Sequence, residues 1–186
     1  MRKTRSFIKP LFIAIACLFL SACSAIASKP DSCDHEINCD LNTSLSSPVV
    51  HMSVGDSESV FICGCKPWNE SSIHVEKGEV YAFEFNHVER WIDGDVDSDP
   101  VDGWQGWFYK VLGFFSSPMK RSDQAKWYAM VGAVGTNEDE AFALIRRKNG
   151  DIVMPSSGTL HFFANDKKGR YFNNQGTLQL QITRLK

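Results

Sequence analysis

Beyond residue 48 the chain reads as a series of short β-rich runs, and the clearest is the last. Leu178, Leu180 and Ile182 alternate with Gln179, Gln181 and Thr183. Strict alternation marks a strand with one buried face, because successive side chains of an extended backbone point to opposite sides. Similar runs recur at 49–54, 59–63, 72–76, 79–85, 88–92, 127–134, 141–146 and 159–164, and the last extends over 177–185. Turn-forming pairs divide them: Gly55-Asp56, Lys77-Gly78, Asn149-Gly150, Ser157-Gly158 and Gln175-Gly176. Many short strands without a long helical period predict an all-β fold, a β-sandwich over residues 48–186. The stretch 103–129 breaks the pattern. It concentrates Trp104, Trp107, Phe108, Tyr109, Phe114, Phe115, Trp127 and Tyr128, and is expected to be a short helix or a long folded loop.

The N-terminus has a different pattern. Arg2, Lys3, Arg5 and Lys9 precede an apolar run from residue 11 to residue 20, which ends in Leu20-Ser21-Ala22-Cys23. A basic start, a short apolar core and small residues at the cut form a secretory signal. The run is shorter than the roughly 20 apolar residues a membrane span needs. Its end resembles a bacterial lipobox, which implies cleavage before Cys23 and lipidation of that residue. Residues 1–22 are then the signal peptide. Residues 23–47, rich in Ser, Asp and Asn, form a tether to a membrane outside the cytoplasm. Ser24 after the cysteine resembles sorted lipoproteins and favours the outer membrane of a bacterial cell envelope. Four of the 20 basic residues and none of the 22 acidic ones lie in the signal, so the net charge moves from −2 to −6 on cleavage. An acidic chain without a basic stripe gives no reason to expect nucleic acid as a partner.

The other cysteines are Cys17, which leaves with the signal, and Cys33, Cys39, Cys63 and Cys65. An even number in an exported chain favours disulfides. Four cysteines allow three pairings. Bridges from the Cys33/Cys39 segment to Cys63 and Cys65 are expected, because residues two apart on one strand lie near the upper distance limit for a bond. Cys-x-Cys is not the Cys-x-x-Cys spacing of zinc and redox sites.

Candidate chemistry gathers in Asn165-Asp166-Lys167-Lys168-Gly169-Arg170-Tyr171-Phe172-Asn173-Asn174-Gln175-Gly176, between the last two strands. A carboxylate and amide oxygens on one loop are hard donors of the kind Ca²⁺ takes. One carboxylate does not neutralise the ion, so a second segment has to contribute. The run Asp93, Asp95, Asp97, Asp99 and Asp102 offers one, since such a density of carboxylates is stable only when solvated or shared by a cation.

This loop resembles the calcium loop of the PA-I galactophilic lectin family, with Asp166, Asn173, Asn174 and the trailing Gly176 on the matching positions. Ser72-Ile73-His74-Val75, Lys77-Gly78-Glu79-Val80, the aromatic strand ending at Trp91, Met130-Val131-Gly132-Ala133-Val134-Gly135 and Ser157-Gly158-Thr159-Leu160 also resemble it. The resemblance implies a jelly-roll or galactose-binding-domain-like sandwich. It also implies Ca²⁺ held by side chains of Asp166, Asn173 and Asn174 and by backbone carbonyls at Arg170 and at Gly94 or Asp93. A sugar's hydroxyls would complete the coordination. In Arg121-Ser122-Asp123-Gln124, only Gln124 agrees with the family's sugar-contacting loop. Gln124 and Trp91 are the candidate sugar contacts. The aromatic insertion has no counterpart in the family.

His51, His74, His87 and His161 show no zinc spacing. No nucleophile elbow, P-loop or acid–base carboxylate pair is present, so a binding protein is expected rather than an enzyme. Two functions compete: a membrane-anchored, calcium-dependent carbohydrate-binding module, and a structural or assembly lipoprotein whose sandwich contacts another envelope protein.

Overall fold

The computed structural model describes residues 48–144 and 151–186. The signal peptide, Cys23, the tether with Cys33 and Cys39, and the Asn149-Gly150 turn lie outside them. Two sheets pack face to face. The first is five-stranded, in the order β1 (Val50–His51), β3 (Asn69–Val75), β10 (Gly158–Ala164), β7 (Met130–Val134) and β8 (Phe142–Ala143). The second is ordered β2 (Ser57–Cys63), β11 (Asn174–Arg184), β4 (Val80–Asp93), β5 (Val96–Asp99) and β6 (Gly103–Trp104), and β9 (Ile152–Val153) also pairs with β4. This is the expected all-β sandwich. Leu178, Leu180 and Ile182 of β11 are fully buried and meet Ile73, Leu160 and Phe162 of the opposite sheet in one core.

The expected runs 79–85 and 88–92 are not two strands. They form the single 14-residue β4. The pairing of β4 with β11 slips twice, between Gln179 and Leu180 and between Gln175 and Thr177. Each slip inserts one extra residue in β4, which is a β-bulge. The second bulge places Arg90 at φ 48°, a conformation that costs a side-chain-bearing residue energy. Opposite it, Gly176 has φ 103°, and a Cβ there would stand 2.1 Å from the Arg90 carbonyl oxygen, so only glycine fits. The run 127–134 is also shorter than expected. Tyr128 has φ 59°, which breaks the extended chain, and the strand begins at Met130.

Within 103–129 the helix α1 spans Trp107–Phe115. It rests on a stacked pair, Trp104 and Trp127, whose rings lie 4.9 Å apart at 13°. Gly113 makes that approach feasible: a Cβ there would lie 2.9 Å from Trp127 Cδ1. The Trp127 indole donates to the Gly113 carbonyl at 2.9 Å. No helix among the described residues is long and apolar enough to cross a membrane. Cys63 ends β2, and it and Cys65 are both disulfide-bonded.

Candidate metal centre

Three chain segments meet at one end of the sandwich. The loop 165–173 carries the chain from β10 in one sheet to β11 in the other. The tight β4–β5 turn, with Gly94 in the left-handed region at φ 58°, sits beside it. The segment 121–129 closes over both. Asn165 ties the third to the first. Fully buried, it accepts from the Ser122 N–H at 2.9 Å and donates to the carbonyls of Ser122 (2.8 Å) and Ala125 (2.9 Å). Its backbone exchanges hydrogen bonds with Tyr128 and Ala129.

Asp93 and Asn174 stand directly opposite each other across β4 and β11. Asp166 and Asn173 complete a cluster. Asn173 Nδ2 donates to Asp93 Oδ1 at 3.3 Å, and Asn174 Nδ2 donates to Asp166 Oδ2 at 2.9 Å. Asp93, Asp166 and Asn174 are buried. Burial and the nearby Asp166 carboxylate push Asp93 up to about 6, although the Trp104 indole, which donates to its Oδ2 at 2.8 Å, and the Asn173 amide oppose the shift. Burial also raises Asp166, against the Asn174 amide, the Lys167 N–H at 2.6 Å and the charge of Arg170. Two carboxylates that disfavour each other's charge thus share a desolvated pocket.

The amide oxygens are the decisive detail. Asn173 Oδ1 and Asn174 Oδ1 are both buried and accept no hydrogen bond. Such orphaned acceptors are rare in folded proteins, because each forfeits its hydration. Two buried carboxylates and two orphaned amide oxygens make a donor set for a hard divalent cation. The residues therefore fit Ca²⁺.

The structure brings Asp166, Asn173, Asn174 and Asp93 together, with Gly94 and Arg170 at the rim. Gly94 N–H donates to the Asn173 carbonyl at 3.2 Å. The Arg170 carbonyl caps the short 3-10 turn over Tyr171–Asn173, where it accepts from the Asn173 N–H at 3.5 Å. Besides the backbone carbonyl expected from Gly94 or Asp93, the structure turns the Asp93 carboxylate into the cluster. Trp104 was not foreseen as its partner, for nothing in the spacing of a Trp two strands away signals that contact.

Trp91 is not a sugar contact. It is only 3 % exposed, and its indole donates to the Tyr128 carbonyl at 2.9 Å, which commits the ring to the core beside Tyr128. Gln124 is exposed on the 121–129 segment. It lines a cavity of about 260 Å³ with Val101, Ala143 and Leu144, and none of the four cluster residues lines that space. The neighbouring Arg121, whose side chain is 2 % exposed, is a clamp. It pairs with Glu138 at 3.0 Å, donates to the Tyr171 hydroxyl at 2.7 Å, and lies 3.7 Å over the Phe163 ring. Tyr171 in turn donates to the Ala164 carbonyl at 2.7 Å, fixing the start of the loop.

A second cavity, of about 320 Å³, is lined by Trp104 and likewise by none of the four cluster residues. Tyr109, Lys110, Phe114, Lys120 and Trp127 also line it.

No protein family matches the chain, and no curated protein does. A solved structure described as "EclA N-terminal domain; PllA-like lectin" superposes with a TM-score of 0.45 at 13 % identity, over 68 % of this chain and 94 % of that one. A likeness of that degree carries no argument about ligand, so the site stands on its own residues.

Proposed function

We propose that the protein is an exported, lipid-anchored binding module that holds Ca²⁺ through Asp93, Asp166, Asn173 and Asn174 and recognises carbohydrate at that end of the sandwich. The observation that carries the reading is the pair of orphaned amide oxygens beside two buried carboxylates. Each amide now turns its NH₂ toward a carboxylate, where the group serves as a partial positive charge. A half-turn of either amide would face oxygen to oxygen, which is tolerable only with a cation between them. When bound, Ca²⁺ supplies the charge that offsets Asp93 and Asp166 and open positions for further oxygen ligands. The chain's own part is rigidity: Trp104 orients Asp93, the Lys167 N–H orients Asp166, and Asn165 holds the covering segment.

Support for carbohydrate is the resemblance of Asp166, Asn173 and Asn174 to a galactophilic loop. The reading is of a binding protein rather than an enzyme. Lipidation of Cys23, attachment to the outer membrane and bridges from Cys33 and Cys39 to Cys63 and Cys65 belong to the same proposal. The exposed aromatic helix favours a second reading, an envelope assembly protein in which calcium serves rigidity alone.

Calorimetry of chelator-treated protein with CaCl₂ tests the metal, and a glycan array with and without chelator tests the sugar. Calcium uptake with chelator-sensitive glycan binding supports the first reading. Uptake without glycan binding supports the second. No uptake at millimolar calcium overturns the metal site and the lectin reading with it.

A further inference from the structure

Helix α1 reverses the usual distribution of side chains. Trp107 and Phe114 are each 78 % exposed and Phe115 is 76 % exposed, with Phe108, Val111 and Leu112 also open to solvent. Only Gly113 is buried in the helix, so the contact with the sandwich is a narrow seam on Trp127 and Trp104. A contiguous face of this kind marks a contact with something else. We infer that α1 is an interfacial anchor: it lies flat on a phospholipid surface, its aromatic rings in the headgroup–acyl boundary, and holds the sandwich against the membrane in one orientation.

Four observations favour a bilayer over other occupants. Nine residues make a helix of about 13.5 Å, far short of a span but long enough to lie in the interface. Its exposed Trp, Phe and Leu are the residue types that interfacial helices bury at the headgroup–acyl boundary. From Gly103 to Lys120 there is no acidic residue but there are Lys110 and Lys120, in a chain with 22 acidic residues. The tether is the other candidate from this chain, but residues 24–47 contain no aromatic residue and only Ile26, Ile37, Leu41 and Leu45 as large aliphatics.

The inference uses the anchored reading only to say where the membrane is, and its test omits the lipid. The chain from Ser24 to Lys186, exported with a signal that adds no lipid, is floated with vesicles of phosphatidylethanolamine and phosphatidylglycerol. Expected are co-flotation, a blue shift of Trp emission and tighter binding than to phosphatidylcholine alone. Each Phe ring withdrawn lowers partitioning about tenfold or more. Phe114→Ser/Phe115→Ser should therefore abolish flotation with an unchanged melting temperature, and Trp107→Ser should remove most of the blue shift. Folded protein that fails to float overturns the inference, as does flotation that the double variant leaves intact. A dimer that forms without vesicles and is lost in the double variant assigns the face to a second copy and overturns it too. None of these outcomes depends on calcium, whose failure would leave flotation in place.

Discussion

The cluster at Asp93 and the helix α1 are neighbours, yet they depart from ordinary burial in opposite directions. One hides two carboxylates and two unsatisfied amide oxygens; the other exposes three aromatic rings by more than three-quarters. Each is costly in isolation, since buried charge loses hydration and exposed aromatic surface orders water. Each cost falls if a partner is supplied, a cation in the first case and an apolar phase in the second. Trp104 joins the two, with its indole N–H on Asp93 and its face against Trp127 under the helix. The lesson is that a local violation of the burial rule identifies the chemistry of the partner: missing positive charge inside, missing apolar surface outside.

The largest expected effect breaks the first half of this contrast. Calcium at a hundred times its dissociation constant should stabilise the protein by about 2.7 kcal/mol. Asp166→Ala should remove that gain, as should Asp93→Ala, which calorimetry and melting with and without chelator will read. Asp93→Asn sharpens the point through its sign. It keeps an acceptor for the Trp104 indole and removes a buried charge, so the metal-free protein should become more stable while calcium loses its effect.

The second prediction concerns the seam. Gly113→Ala should destabilise by about 1–3 kcal/mol in urea, because overpacking against Trp127 outweighs the better helix propensity of alanine. A stabilised variant would mean that α1 is not held against Trp127.

A smaller effect comes from a fully partnered carboxylate. Burial pushes Glu79 up, but the Glu76 N–H, the Tyr81 hydroxyl at 2.8 Å and Arg184 at 2.6 Å outweigh it and hold the group below its ordinary 4.5. A lowered folded value means that its contribution is present above the unfolded value and is lost as pH falls through the folded one. Glu79→Gln should therefore cost about 1 kcal/mol at neutral pH and progressively less below pH 4.5, as denaturation across pH will show. The smallest effect is Phe114→Ser/Phe115→Ser, which should change folding stability by under about 0.5 kcal/mol, since both rings lie outside the packed interior.

Much of this was legible in the chain. The alternation at Leu178, Leu180 and Ile182 specified β11, its buried face and the sandwich it belongs to. Asp166, Asn173 and Asn174 could be singled out because they share a short loop. Asp93 could not be separated from Asp95, Asp97 and Asp99 by spacing, since only strand register decides which carboxylate turns inward. Trp91 looked available for stacking because an aromatic residue reads alike whether its indole bonds to solvent or to the Tyr128 carbonyl. The unbroken β4 was hidden for a related reason: two bulges upset the period of two, and a disturbed period imitates a turn at Asn86-His87.

Those bulges have a consequence for insertions and deletions. Each adds one residue to β4, and together they return Asp93 to the side of the strand that carries Tyr81. The bulges are therefore slack in the register. Loss of the extra residue at either bulge would restore one-to-one pairing and leave Asp93 opposite Asn174, and loss of one from each would do the same. A third loss would slide the strand, bring Gly94 opposite Asn174 and turn Asp93 to the other face. Shortening of this segment by one or two residues should be tolerated and a further loss punished, whatever the side chains involved.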